Sequence, residues 1–192
     1  MRLFVGVELS EDARAAAAAV AERMRQRLKK ARVDVTARWV APENLHITLW
    51  FIGEVNDERA QAIDRALAPQ FAVAPFELAL EGCGAFPPSG PPRVFWIGLR
   101  RGGEPMGELY REVAARLSPS GYEPERRAYS AHLTIARVKD VPRGSAAAIR
   151  GLVADIPASA GSCRVEFVTL FRSHLSPKGS TYEPLARVPL QA

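Results

Sequence analysis

Two copies of a His-x-Thr motif are the residues of this chain whose types and spacing could do chemistry. His46 and Thr48 form the first copy, and His132 and Thr134 repeat it 86 residues later, in a chain with only three histidines. Side chains at i and i+2 of a strand point to one face, so each histidine should share a face with its threonine. An unperturbed imidazole has a pKa of about 6.5, so one copy can act as a base and the other as an acid near neutral pH.

Two imidazoles and two hydroxyls around one cavity suit a phosphodiester. The threonine hydroxyls can donate hydrogen bonds to the non-bridging oxygens as negative charge builds on them. This arrangement requires no metal, and we expect no cofactor. A histidine-based metal hydrolase is disfavoured because the three histidines show neither H-x-x-E-H nor H-x-H spacing.

The repeat extends beyond the two motifs. Residues 46–55 align with residues 132–141, and their apolar positions match as well. Each copy lies between two predicted helices, so each half of the chain is predicted to form one strand–helix–strand–helix lobe. Two such lobes tend to pack about a pseudo-two-fold axis, which would bring equivalent residues face to face. The structural alternative is a duplicated domain with two half-buried strand histidines, and the matched pair favours the catalytic interpretation.

Hydrophobic periodicity and turn residues predict alternating strands and helices. Because the late strands are joined by short turns, some pairing must be antiparallel, which indicates an α/β or α+β fold with mixed or antiparallel sheets. The strands are predicted at 2–9, 45–52, 76–82, 93–99, 131–138 and 164–175, with a short one closing the chain; the helices at 11–30, 57–67, 105–117 and 145–155; and a proline-rich loop at 84–92.

The composition indicates an ordinary globular domain. Of 192 residues, 47% are hydrophobic and 24% charged, and no apolar run approaches the roughly 18 residues of a membrane span. The net charge of +5 fits a polyanionic partner such as RNA. Cys83 and Cys163 form no C-x-x-C motif, so we expect buried thiols in a reducing cytoplasm.

The segments 39–55 and 132–137 resemble the two-histidine (2H) phosphoesterase superfamily, and within it the RNA 2′,3′-cyclic phosphodiesterases, also called 2′-5′ RNA ligases. Residues 2–9, 93–99 and 171–182 resemble further strands of that family, so the resemblance covers nearly the whole chain. It implies one bilobal domain over residues 1–192, with motifs at 46–49 and 132–135 lining a central cleft. The chain departs from the family at Tyr129-Ser130-Ala131, where Phe-x-Pro is usual.

The resemblance also implies an activity. The family hydrolyses RNA ending in a 2′,3′-cyclic phosphate to a 2′-phosphate, and the slow reverse reaction would form a 2′-5′ linkage. It assigns the proton donor to His46 and the base to His132, an order that the pseudo-symmetry of the lobes leaves open. The expected partner is RNA with a cyclic phosphate end, such as a tRNA fragment. We expect a monomer with no membrane association and no obligate protein partner.

Arg137 is a candidate phosphate ligand that breaks the repeat, because its counterpart is Phe51. Simple alternation places Arg137 on the face opposite His132; a bulge would turn it toward a phosphate, and a salt bridge within the lobe is the alternative. Glu43 and Glu54 are weak candidates for orienting an imidazole, and His174 is predicted to be an exposed, non-catalytic residue. Other residues near the predicted cleft are Trp39, Trp50, Arg126, Arg127, Ser173, Lys178 and Tyr182, whereas Phe95 and Trp96 are predicted to be core residues.

Two alternatives to the RNA cyclic phosphodiesterase remain open. One is another 2H enzyme that acts on a small cyclic nucleotide, a cyclic ADP-ribose phosphate or a 2′-5′ oligonucleotide. The other is a non-catalytic module that binds phosphate ends of RNA. A series of substrates of increasing length separates the enzymes, because an RNA enzyme should gain from upstream nucleotides.

Overall fold

The computed structural model describes residues 1–124, 127–176 and 179–191 as four helices and nine strands with two short 3-10 turns. The helices are α1 (Glu11–Lys30), α2 (Asp57–Leu67), α3 (Gly103–Leu117) and α4 (Ala146–Ala154). The strands are β1 (Arg2–Glu8), β2 (Thr36–Trp39), β3 (His46–Glu54), β4 (Phe76–Phe86), β5 (Val94–Arg101), β6 (Leu133–Asp140), β7 (Ser159–Val165), β8 (Phe167–Ser176) and β9 (Gly179–Pro189).

One antiparallel sheet carries all nine strands of the described residues. Its order is β7-β4-β5-β6-β3-β1-β8-β9, and β2 pairs with β6 beside this path. Only Glu166 separates β7 from β8, although these strands lie in opposite halves of the sheet. The sheet must therefore curl, which brings its two ends together. The α+β fold class with antiparallel sheets is confirmed.

A pseudo-two-fold relationship runs through the middle of the sheet. Strands β3 and β6 pair through Ile47 and Leu133, which are equivalent residues of the repeat. On one side β3 is followed by β1 and β8, and on the other β6 is followed by β5 and β4. The two motif strands therefore lie next to each other in opposite directions, so equivalent residues of the two motifs lie on either side of the junction.

The helices pack across the two halves. Helix α1 contacts β6, β7 and α4, whereas α3 contacts β3 and α2. Helix α1 begins after Ser10, whose hydroxyl accepts a hydrogen bond from the backbone N–H of Ala13 at 3.3 Å, as an N-cap residue should. Its buried face is Ala13, Ala17, Val20, Ala21, Met24 and Leu28. Within the described residues, no helix is long and apolar enough to cross a membrane.

Three predicted elements differ from the structure, and one strand of the structure was not predicted. Strand β4 continues through Phe86 into the predicted loop, because its last residues pair with β5 and the prolines begin only at Pro87. The predicted strand 164–175 is two strands, because the chain changes its pairing partner at Glu166. The closing strand β9 is long because it pairs with β8 along its length. Strand β2 is not among the predicted elements.

Candidate active site

The first imidazole is held at the beginning of β3. The carbonyl oxygen of Asn44 lies 2.7 Å from Nδ1 of His46, so Nδ1 carries the proton and donates it. The other ring nitrogen, Nε2, lies 3.1 Å from the hydroxyl oxygen of Thr48. In the neutral ring Nε2 is therefore the acceptor, and Thr48 donates to it. Ile47 and Leu49 are buried in the core on the other side of the strand, as alternation predicts.

The second imidazole is held in the same way just before β6. Nδ1 of His132 lies 2.7 Å from the carbonyl oxygen of Ser130, the equivalent of Asn44 in the repeat. Unlike Nε2 of His46, Nε2 of His132 makes no hydrogen bond within the described ranges, so this atom is open to a substrate. Leu133 and Ile135 are fully buried, and Thr134 is half-buried. Two unprotonated Nε2 atoms thus lie at equivalent positions on either side of the β3–β6 junction, and that of His46 accepts a hydrogen bond from Thr48.

The surroundings of the two rings lower both pKa values. Three aromatic rings surround His46: the centroids of Phe4 and Tyr182 lie 4.7 and 5.0 Å from it, and that of Phe171 lies 5.7 Å away. Burial, with a smaller contribution from the charge of Arg137, lowers the pKa of His46 to about 4. The same two causes lower the pKa of His132, against whose ring Phe86 packs edge-on at 5.0 Å.

A β-bulge in each motif strand determines the direction of the next side chains. Val5 pairs with Trp50 and Gly6 with Thr48, so Leu49 is the extra residue of β3. Ile135 is the extra residue of β6, because Phe95 and Trp96 of β5 pair with Ala136 and Thr134. A bulge inserts one residue and re-aims those that follow it.

The bulges change the faces that simple alternation predicts. Arg137 and its counterpart Phe51 both become exposed, and the Arg137 charge acts on both imidazoles. Simple alternation, which places Arg137 opposite His132, does not hold across this bulge, and the role of Arg137 toward a phosphate stays a prediction. Trp50 was expected on the face of His46; it is instead buried against Tyr110 of α3, with 5.4 Å between ring centroids.

An aromatic cavity opens beside His132. Its volume is about 440 Å³, and it extends between β3 and the segment that precedes the second motif. Tyr129 spans this space: its hydroxyl donates to the carbonyl oxygen of Thr48 at 3.0 Å, and its ring stacks on Tyr110 at 4.5 Å. The other residues around the cavity include Thr48, Trp50, Phe51, Phe86, Tyr122, Glu123, Arg127 and His132.

The remaining aromatic candidates lie in different surroundings. Trp39 is half-buried in β2 beside Phe95, which is a core residue as expected. The prediction of a core position for Trp96 is wrong, because this half-buried ring lies over Gly84, where a Cβ would come within 2.1 Å of the indole. Tyr182 contacts the ring of His46 edge-on.

The polar candidates are more dispersed. His174 is exposed and lies 2.8 Å from the Glu183 carboxylate, as expected for a residue outside the site. Glu43 and Glu54 make no hydrogen bond to either catalytic candidate within the described ranges; the carbonyls of Asn44 and Ser130 orient the rings instead.

Arg127 is exposed at the aromatic cavity, and Ser173 is half-buried opposite Tyr182 in the β8–β9 pairing. Arg126 and Lys178 lie outside the described residues.

Sequence reasoning missed three features of the site. The orienting carbonyls carry no residue-type signal, although the repeat offset makes Asn44 and Ser130 equivalent. Phe86 falls within the predicted loop 84–92, and Arg38 lies on the unpredicted strand β2. Among the described residues, no group of three or more His, Cys, Asp or Glu side chains is arranged to hold a metal ion.

Comparisons with known proteins agree with the repeat and with the curled sheet. The family described as LigT like phosphoesterase matches the chain twice, over residues 12–96 and 97–182. A relative from Archaeoglobus fulgidus, named RNA 2′,3′-cyclic phosphodiesterase, is 36% identical over 185 residues, which are 96% of this chain and 98% of the relative.

Two crystal structures share the whole fold. TT0787 of Thermus thermophilus superimposes with a TM-score of 0.76 at 29% identity, over 99% of this chain and 98% of that one. The Escherichia coli LigT complexed with 3′-AMP superimposes with a TM-score of 0.72 at 25% identity, over 100% of this chain and 98% of that one.

Proposed function

This chain belongs to the LigT-like phosphoesterase family, and we propose that it hydrolyses RNA ends that carry a 2′,3′-cyclic phosphate, leaving a 2′-phosphate. The observation that carries the proposal is the pair of equivalent imidazoles on adjacent strands, each held through Nδ1 by the carbonyl two residues earlier, which leaves Nε2 as the unprotonated nitrogen of both rings. The name of the Archaeoglobus relative supports the RNA substrate, as does the net charge of +5.

In the proposed reaction, water attacks the phosphorus of the cyclic diester and the bond to the 3′ oxygen breaks. Nε2 of His132 accepts the proton that the water loses, and protonated His46 gives a proton from Nε2 to the departing 3′ oxygen. A hydrogen bond to a carbonyl favours the protonated form of each ring, so Asn44 and Ser130 also support the imidazolium state. The reverse sequence of steps would join RNA ends through a 2′-5′ linkage.

Three further side chains are proposed to bind the phosphate. The hydroxyls of Thr48 and Thr134 and the guanidinium of Arg137 can donate to its non-bridging oxygens, where negative charge increases during attack. Arg137 has no ion-pair partner in the part of the chain that the structure describes. Its charge therefore remains available to an anion.

The depressed pKa of His46 is compatible with its role as the acid. The free protein holds this ring neutral at pH 7, because its pKa is about 4. A phosphodiester anion placed against Nε2 favours the charged ring and raises the pKa of His46. Binding of substrate is therefore coupled to uptake of a proton, and that proton is the one transferred to the 3′ oxygen.

One functional unit over residues 1–192, acting as a monomer, is part of the proposal. Its support is the packing of α1 on β6 and β7 and of α3 on β3, which ties each half to the other. Sedimentation of the protein at assay concentration checks the monomer, and a sedimenting dimer contradicts it. Fragments of tRNA are the substrates we expect.

The direct test is product analysis with a short RNA that ends in 2′,3′-cyclic phosphate, in the presence of EDTA. The wild-type protein should produce a 2′-phosphate end. His46→Ala and His132→Ala should each lower the rate by about 10² to 10⁴, because each removes one proton-transfer group. His174→Ala is the matched control and should keep the wild-type rate.

Two other results would replace the proposal. If the cyclic end persists although the RNA is bound, the chain is a module that binds RNA ends. If only cyclic mononucleotides are hydrolysed, it is a 2H enzyme for small cyclic nucleotides.

A further inference from the structure

Two arginines face each other directly on neighbouring strands next to the proposed catalytic site. Arg38 of β2 and Arg137 of β6 are register partners, and both side chains are exposed. Like charges placed opposite each other across an antiparallel pair destabilise it. Neither guanidinium forms an ion pair or a hydrogen bond with any side chain in the described ranges. Both charges are therefore available to anions.

A groove of about 250 Å³ is lined by both arginines, and we call it the Arg38 groove. Its far wall is the β9 strand, which Asn44 holds in place by donating from Nδ2 to the carbonyl oxygen of Ser180 at 2.7 Å. Glu43 is the acidic residue of the lining, and it pairs with neither arginine. Two positive charges against one negative charge leave the described lining cationic.

The Arg38 groove is continuous with the proposed catalytic site. Asn44 lines the groove, and its carbonyl oxygen also holds His46. Tyr182 lines the groove and packs against the same imidazole, and Arg137 acts on both histidines. Strand β2 pairs with residues 136–140 on the edge of β6 that β3 contacts at Leu133, so Arg38 lies farther along this edge than His46 does.

We infer that the Arg38 groove binds the phosphodiester immediately upstream of the cyclic phosphate, with Arg38 as its contact. The inference rests on the proposed function and specifies how the same site recognises RNA. A cyclic phosphate ends the RNA chain, so every other phosphate of the substrate lies on its upstream side. Arginine suits this position because its planar guanidinium can donate two parallel hydrogen bonds to a phosphate.

The test compares two substrates that differ by one upstream nucleoside and the phosphodiester that joins it. These are a nucleoside 2′,3′-cyclic phosphate and a dinucleotide that ends in the same cyclic nucleotide. Wild-type kcat/KM should be higher for the dinucleotide, and Arg38→Ala should lower that ratio about threefold to tenfold, as expected for loss of one exposed charged contact. Arg38→Lys should restore part of the ratio, because it keeps the charge but not the planar fork.

Arg111→Ala is the matched control, because Arg111 is an exposed arginine of α3 that is not part of the groove lining. It removes the same net charge and should leave the ratio at the wild-type value. Salt dependence provides a second measurement. Loss of one phosphate contact to single-stranded RNA should reduce the slope of log affinity against log salt by about 0.7. An equal change of the ratio in Arg111→Ala, or no change in Arg38→Ala, overturns the inference.

Binding of the two reaction products separates this inference from the proposed function. Calorimetry measures the affinity for the nucleoside 2′-phosphate and for the dinucleotide 2′-phosphate in the wild type and in Arg38→Ala. If the wild type turns over neither substrate but still prefers the dinucleotide product through Arg38, the proposed function fails and the Arg38 groove stands. If the wild type binds both products equally, the inference about the groove fails, whatever the activity.

Discussion

The two halves of the cleft share a backbone arrangement but give their imidazoles different surroundings. His46 and His132 are each held by the carbonyl two residues earlier at 2.7 Å, and each motif strand has a bulge at the same offset. Among the described residues, three aromatic rings pack against His46, whereas only the ring of Phe86 packs against His132. After the bulge, the first half presents Phe51 and the second presents Arg137.

This difference shows what a duplicated motif does and does not determine. The repeat determines where the two Nε2 atoms lie, because strand pairing and the carbonyl contacts are the same in both halves. The neighbours that are not repeated determine the charge that each ring carries. The division into acid and base must therefore come from the asymmetric residues, and the predictions below address them.

The largest expected effect is on kcat/KM. Substrates with different leaving groups distinguish the roles of the two histidines. A nucleoside 2′-(4-nitrophenyl phosphate) releases nitrophenolate, a leaving group that needs no proton. Its hydrolysis therefore depends on the base but not on the acid. His46→Ala, which should lose about 10² to 10⁴ in kcat/KM on the RNA end, should recover at least about tenfold of that loss on this substrate. His132→Ala should recover none of its loss.

Steady-state rates on both substrates, with His174→Ala as the control, show which histidine is the acid and which is the base. Recovery by His132→Ala instead of His46→Ala would exchange the two roles. Equal recovery by both variants would contradict any division of acid and base between the halves.

The next effect is on the pH dependence of stability. It concerns His46, the more enclosed of the two rings. The pKa of His46 is about 4 in the folded protein and about 6.5 in an unfolded chain, so the unfolded state binds more protons between these values. The unfolding free energy that depends on a neutral His46 is fully present above pH 6.5 and is lost as the pH falls toward 4. The 2.5-unit difference corresponds to about 3 kcal/mol of unfolding free energy.

Urea unfolding at a series of pH values measures this effect. The His46→Gln variant should lose less stability than the wild type between pH 6.5 and pH 4. His174→Gln, which changes an exposed histidine, should follow the wild type. Parallel curves for the wild type and His46→Gln would show that burial does not hold the ring neutral.

Much of this asymmetry lies beyond what the sequence predicts. The repeat, the shared face of each histidine and threonine, and the inward positions of Ile47 and Leu133 follow from strand periodicity, and these local features agree with the structure. The bulges break the alternation. Their signal is present in hindsight, because both copies place two consecutive apolar residues at the same offset, Leu49-Trp50 and Ile135-Ala136.

Long-range pairing accounts for the other differences. The apolar pattern runs through Glu166 without interruption, so only the pairing partners on its two sides reveal that β7 and β8 are separate strands. Strand β2 is four residues long and is defined by its pairing with β6. No local sequence pattern predicts that pairing. For the same reason, Arg38 could not be placed beside Arg137 from the sequence.

Arg137 and Phe51 provide the third test, because they occupy equivalent positions with different chemistry. Arg137→Ala should lower kcat/KM about 10- to 100-fold, through loss of the cation that we propose binds the phosphate. Because the charge of Arg137 lowers the pKa of both His46 and His132, both values should rise in the variant. NMR titration of the imidazole protons measures this change.

Phe51→Ala is the comparison variant for that experiment, because it truncates the equivalent position without removing a charge. It should leave the pKa values of both histidines at their wild-type positions. If Arg137→Ala leaves them unchanged as well, the guanidinium does not act on the imidazoles.

The smallest effect concerns the contact that joins the halves. The Tyr129 hydroxyl donates to the carbonyl oxygen of Thr48, so it connects the segment before the second motif to the strand of the first. Tyr129→Phe restores the aromatic residue usual in the family but removes this bond, and it should lower the unfolding free energy by about 1 kcal/mol. In a chain of this length that is a fall of about 2–4 °C in Tm. Tyr110→Phe, which removes a hydroxyl from the ring stacked on Tyr129 and keeps that ring, is the control. A Tm for Tyr129→Phe equal to that of Tyr110→Phe would show that the bond to Thr48 adds no stability.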